Sequence, residues 1–119
     1  MIKKNYKDVK NQEATLIDGT PVKNVYVRWL IDKDHDSAQN FAMRRFEIKP
    51  NTSVPVHNHP QDHEVYILNG NGIFYNDSGQ KEKVGSGDVI YIPPNENHGI
   101  ENIGNEDLIF LCLIPYFNK

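Results

Sequence analysis

The chain has 119 residues, 38% of them hydrophobic and 24% charged, with a net charge of −3. That is the balance of an ordinary soluble globular domain. It offers no basic footprint for nucleic acid, and no run approaches the roughly 18 apolar residues that a membrane-crossing helix needs. The start, Met1-Ile2-Lys3-Lys4-Asn5-Tyr6, is not followed by an apolar stretch, so no signal or transit segment is expected. One cysteine, Cys112, excludes an internal disulfide and fits a reducing, cytoplasmic setting.

Helical periodicity is almost absent. Short runs rich in Val, Ile, Phe and Tyr recur instead, each bounded by Gly, Asn, Asp or Pro. Strands are predicted at 14–17 and 22–31, separated by the turn signal Asp18-Gly19, and then a polar loop at 32–39. A strand at 41–48 closes at Pro50-Asn51. Two more follow at 54–59 and 63–68, then a turn at 69–72, strands at 73–75 and 80–84, and another at 89–92 that ends on Pro93-Pro94. The last two are 98–102 and 108–114. Strands this short and this regularly spaced predict an all-β sandwich or barrel in one domain, 1–119.

The last run is apolar on both faces: Leu108, Phe110, Cys112 and Ile114 on one, Ile109, Leu111 and Leu113 on the other. A half-solvated antiparallel strand should alternate. Its second face is therefore expected to be covered, by another subunit in a homodimer or by the N-terminal residues of the same chain.

Four of the five histidines carry the chemical signal. Three lie in His57-Asn58-His59-Pro60-Gln61-Asp62-His63, and His98 follows later. On a strand, His57 and His59 would share a face about 7 Å apart, and neutral imidazole is the commonest metal donor. The fifth, His35, sits in the polar Asp34-His35-Asp36 loop and reads as a surface residue.

These residues stand at the spacing of two paired motifs. In the first, Asn51 occupies a glycine position, followed by His57-Asn58-His59, His63 and Gly70; in the second come Gly87, Pro93, Asn95 in place of a glycine, His98 and Asn102. On them the chain resembles a small cupin, a double-stranded β-helix or jelly-roll barrel. Asparagine is the non-glycine residue that best tolerates positive φ, so the two substituted turns should survive. The position that usually carries an acidic ligand holds His63, with Glu64 beside it. Parity does not separate the two, because both faces of 63–68 carry apolar residues. Spacing to Gly70 favours His63. So does the similarity of Phe41-Ala42-Met43-Arg44-Arg45-Phe46, of 57–64, of Pro94-Asn95-Glu96-Asn97-His98-Gly99 and of 110–115 to four-histidine, manganese-binding cupins. The resemblance thus implies His57, His59, His63 and His98 as ligands within a core of about 40–115, with Glu64 as the alternative.

Four neutral ligands leave about +2 uncompensated on a divalent ion, which favours anionic, chelating oxygen ligands. An octahedral ion would keep two positions open. The resemblance implies manganese; imidazole also suits Fe, Ni, Cu and Zn. Arg44 shares a face with Phe46 and Ile48, and if that face points inward it can orient a substrate carboxylate. Phe110 and Cys112 share a face and can line the same pocket with Phe46, although a free cysteine is often a small buried hydrophobe. Asn102 shares parity with His98 and is expected to tie down a turn, while Trp29 reads as core or rim.

Three functions remain open: a metal-dependent oxygenase of small anionic or chelating carbonyl compounds; a metal-dependent isomerase or lyase with Tyr75, Tyr91 or Glu64 as base; and a non-catalytic small-ligand binder.

Overall fold

The computed structural model describes residues 1–117 and shows ten strands, one four-residue helix and one 3₁₀ turn, Tyr6–Asp8. The strands are β1 (Gln12–Thr15), β2 (Pro21–Ile31), β3 (Phe41–Ile48), β4 (Ser53–His57), β5 (His63–Asn69), β6 (Gly72–Asn76), β7 (Lys81–Val84), β8 (Val89–Ile92), β9 (His98–Asn102) and β10 (Leu108–Pro115). They form two antiparallel sheets, β1-β2-β3-β10-β5-β8 and β4-β9-β6-β7. The inward faces of both sheets make one core, in which Val25, Ile48, Ile67 and Leu108 are fully buried. This is the all-β architecture that the short, regularly spaced strands predict, in the jelly-roll form that the cupin resemblance implies. Among the described residues, no helix is long and apolar enough to cross a membrane.

Local chemistry explains the departures from expectation. The polar loop after β2 contains a single helical turn, α1 (Lys33–Asp36). Asp32 caps it by accepting from the His35 amide at 2.8 Å, and Ser37 ends it at φ 59°. β4 stops at His57 rather than His59, and Pro60, with no N–H, could not carry a ladder beyond. His57 and His59 therefore do not share a strand face: one ends a strand and the other lies in the loop beyond it. The two asparagines at motif glycine positions adopt positive φ, 60° at Asn51 and 63° at Asn95. Gly70 has no such substitute, since a Cβ there would lie 2.5 Å from the Asp107 carbonyl oxygen.

β10 lies in the middle of the six-stranded sheet, in register with β3 on one side and β5 on the other. Leu108, Phe110 and Cys112 are buried on its inner face, whereas Ile109, Leu111 and Leu113 are half-buried on its outer face. The N-terminal segment covers part of that outer surface. The Tyr6 ring lies 4.1 Å from the Arg45 guanidinium, and Arg28 donates to the carbonyls of Tyr6 and Val9. This cover sits over β2 and β3; beyond it, Tyr66, Val89 and Tyr91 remain exposed.

Candidate metal centre

Three of the four histidines stand at strand ends of facing sheets: His57 closes β4, His63 opens β5 and His98 opens β9. His57 and His98 pair directly across β4 and β9. His59 joins them from the loop after β4, whose backbone is tied down by the Asn95 amide donating to the His59 carbonyl at 3.0 Å. Ring centroids are 4.3 Å apart for His57–His98 and His59–His63, and 5.4–5.7 Å for His57–His59, His59–His98 and His63–His98. Ligand atoms of His57, His59 and His98 all lie within 4.8 Å of one another, a group that can hold a metal ion. His63 Nε2 is 2.6 Å from His59 Nε2.

The backs of the rings fix which nitrogen faces inward. His57 Nδ1–H donates to the Pro55 carbonyl at 2.7 Å, His59 Nδ1–H to Gln61 at 2.8 Å, and His98 Nδ1–H to Glu96 at 2.9 Å. Each Nε2 lone pair is thereby turned toward the centre, the outer-shell arrangement that orients metal-binding imidazoles. His63 differs: its Nδ1 lies 2.8 Å from Cys112 Sγ and 3.3 Å from Arg44 Nη2. With His63 Nδ1 accepting from Arg44, its Nε2–H donates to His59 Nε2; as a metal ligand His63 would instead carry its proton on Nδ1, with Cys112 Sγ behind it. The donor set fits a divalent ion.

Burial favours the neutral form of His59, His63 and His98. It pushes the His63 pKa down to about 2, with the Arg44 charge and the other imidazoles acting in the same direction. It pushes His98 down to about 4, against the raising effect of the Glu96 carbonyl. His59 is also lowered, mainly by burial. Unprotonated imidazole is the ligand form, so desolvation prepares the site near neutral pH.

The histidines sit at one end of a cavity of about 350 Å³, whose walls include Arg44, Phe46, Phe110 and Cys112. Arg44 is stacked between aromatic rings, 5.3 Å from Trp29 and 4.9 Å from Phe46, and donates from Nη2 to Cys112 Sγ at 3.1 Å. Its Nε is buried without a hydrogen-bond partner. A buried donor left unpaired costs about 1–3 kcal/mol, which an anion in the cavity would relieve. Burial raises the Cys112 thiol pKa, with Arg44 opposing.

Glu64 lies on the opposite face of β5 from His63 and is exposed, because the strand alternates buried and exposed residues along its length. Tyr91 is also exposed and donates its hydroxyl to Asp62 at 2.9 Å. Tyr75 packs against Gly99, where a Cβ would lie 2.5 Å from the phenol ring. Among the described residues lining the cavity there is no carboxylate and no tyrosine. His35 bonds to its own cap, Asp32, at 2.9 Å, outside the site.

Sequence reasoning left Trp29 as core or rim and did not name Val54, Phe74 or Ile100, all of which line the cavity. Trp29 reaches Arg44 because the two pair across β2 and β3. No local signal in the chain carries that register.

Asn102 is buried and its side chain makes three hydrogen bonds. Its Nδ2 donates to the carbonyls of Ile48 at 2.9 Å and Glu106 at 2.8 Å, and its Oδ1 accepts from the Gly104 amide at 2.9 Å. It ties the β9–β10 turn to β3 and stays clear of the histidines.

The structure is an antiparallel jelly roll with imidazoles gathered at one end of its barrel, three of them placed where they can hold a metal ion. The family model described as "Cupin domain" matches residues 44–114, and the chain belongs to that family. It is 42% identical over 81 residues to an oxalate-binding protein from Thermotoga maritima, an alignment spanning 67% of this chain and 64% of that protein, so just under two thirds of the relative is covered. The crystal structure of the polyketide cyclase RemF from Streptomyces resistomycificus superposes with a TM-score of 0.83 at 34% identity, covering 97% of this chain and 79% of that one. That of a predicted oxalate decarboxylase from Thermotoga maritima gives 0.79 at 27%, covering 98% and 100%.

Proposed function

We propose that this cupin holds one divalent metal ion on His57, His59, His63 and His98 and binds a small anionic carbonyl compound between that ion and Arg44. The single observation that carries the reading is the convergence of the four imidazoles beside an arginine whose buried Nε has no partner. Resemblance favours manganese. A bound ion of this kind supplies Lewis acidity, a template for a chelating ligand and, when redox-active, access to dioxygen chemistry.

The chain's own residues then have separable tasks. Carbonyls 55, 61 and 96 hold three imidazoles in the ligand tautomer, and Cys112 stands behind the fourth. Arg44, fixed by stacking on Trp29 and Phe46, offers a planar fork to a carboxylate. Phe110 and its neighbours give the cavity apolar walls. An oxygen-dependent oxidation of the chelated carbonyl compound is the reaction class these parts support best. Isomerase or lyase chemistry needs a general base, and Glu64 and Tyr91 face away from the cavity. The similarity to an oxalate-binding protein supports an anionic chelator in either case. We assign the uncovered outer face of the six-stranded sheet to a second copy of the chain.

Protein purified without added metal should carry about one ion per chain by elemental analysis, and His57→Ala should lose it. With the ion bound, oxalate should bind, and Arg44→Ala should weaken that binding at least about tenfold, the scale of one charge-assisted hydrogen bond. Dioxygen uptake should accompany turnover of a chelating substrate. Metal-free protein after purification and reconstitution, or a closed tetrahedral site that admits no ligand, would refute the reading. A ligand recovered chemically unchanged under air would limit the function to binding.

A further inference from the structure

The cavity reaches well past the histidines, and the part it reaches into is apolar. Strand register stacks its walls in tiers. Cys112 pairs with Arg44 and Phe110 with Phe46, so the aromatic pair lies one strand alternation, about 7 Å, below the polar pair. On the other sheet His57 pairs with His98, while Val54 and Phe74 both pair with Ile100, the same step below the histidines. Phe110 stacks on Phe46 at 5.3 Å and meets Phe74 edge-on at 5.8 Å. The site is therefore polar at one end and aromatic at the other.

Size supports the same reading. At ~30 Å³ per molecule, the volume of about 350 Å³ corresponds to about a dozen waters. Oxalate has six non-hydrogen atoms, so it would fill about half of the space and leave the rest as water against Phe46, Phe74, Phe110 and Ile100. Cavities that bind by shape put an apolar body against such walls and reserve the few polar groups for orientation.

Resting on the function proposed above, we infer that the ligand is amphiphilic: a 2-oxo acid with an aromatic or branched-alkyl tail. The 2-oxo-carboxylate occupies the histidine and Arg44 end, and the tail lies on the tier formed by Phe46, Phe74, Phe110, Ile100 and Val54. Ring-on-ring contacts within that tier favour an aryl group.

Isothermal titration of manganese-loaded protein with pyruvate, 2-oxo-4-phenylbutanoate and oxalate tests this. The first two share a head group and differ in the tail. The phenyl compound should bind at least about tenfold more tightly than pyruvate, with a more negative heat-capacity change. Val54→Phe, which fills the tier, should remove that difference; the wild-type comparison stands even if this variant fails to fold. Equal affinity for the two oxo acids, or binding of oxalate alone, overturns the inference and leaves the anionic-chelator reading intact. Binding of none of the three overturns both.

Discussion

Acid should destabilise the metal-free protein chiefly through His63. Its folded-state pKa is about 2 against an ordinary 6.5, because the ring is enclosed and lies beside the Arg44 charge. Unfolding exposes it, so below pH 6.5 the unfolded chain binds a proton that the folded one does not. Stability is then fully present above pH 6.5 and falls as pH drops toward the folded value, by about 1.4 kcal/mol per pH unit for each such group. Between pH 8 and pH 5 His63 contributes a loss of about 2 kcal/mol by this linkage. His98, whose folded pKa is about 4, adds a further loss of about 1–2 kcal/mol. Together these are a large part of the 5–15 kcal/mol typical of a domain. Urea unfolding of chelator-treated protein at pH 8, 7, 6 and 5 reads the slope directly. His63→Leu should flatten it by about one proton's worth. Equal stability at pH 8 and pH 5, or a slope indifferent to His63→Leu, would refute the argument.

Two other outcomes follow from the packing. Asn102→Ala strands two carbonyls and one amide, and should cost about 2–4 kcal/mol in urea unfolding without changing metal stoichiometry. The wild-type chain should run as a dimer in light scattering, and Leu111→Glu, a charge placed on the half-buried outer face of β10, should shift it to monomer while leaving metal content unchanged.

Much of this molecule is written locally. Short runs rich in Val, Ile, Phe and Tyr, the Gly, Asn and Pro punctuation, and the lack of helical periodicity suffice for an all-β sandwich or barrel, and the paired motifs narrow it to a jelly roll by resemblance. Asn51 and Asn95 are legible in the same way, since positive φ selects asparagine among non-glycine residues. The spacing of His57, His59, His63 and His98 marks them as a group, and their relation to one another is also motif information.

Pairing register and burial had to come from the tertiary structure. Glu64 and His63 are adjacent on one strand with apolar neighbours on both sides, and only the placement of β5 inside its sheet turns His63 inward and Glu64 out. The same holds for Arg44. Its stacking on Trp29 and its contact with Cys112 join three strands, and pairings 15 and 68 residues apart in the chain leave no trace in local periodicity. The depressed histidine pKa values belong here too, because desolvation is a property of the closed barrel. The type of fold and the candidate donors are legible in periodicity and motif spacing. Which donors share a cavity with an arginine depends on burial and strand register, which exist only once distant segments have packed.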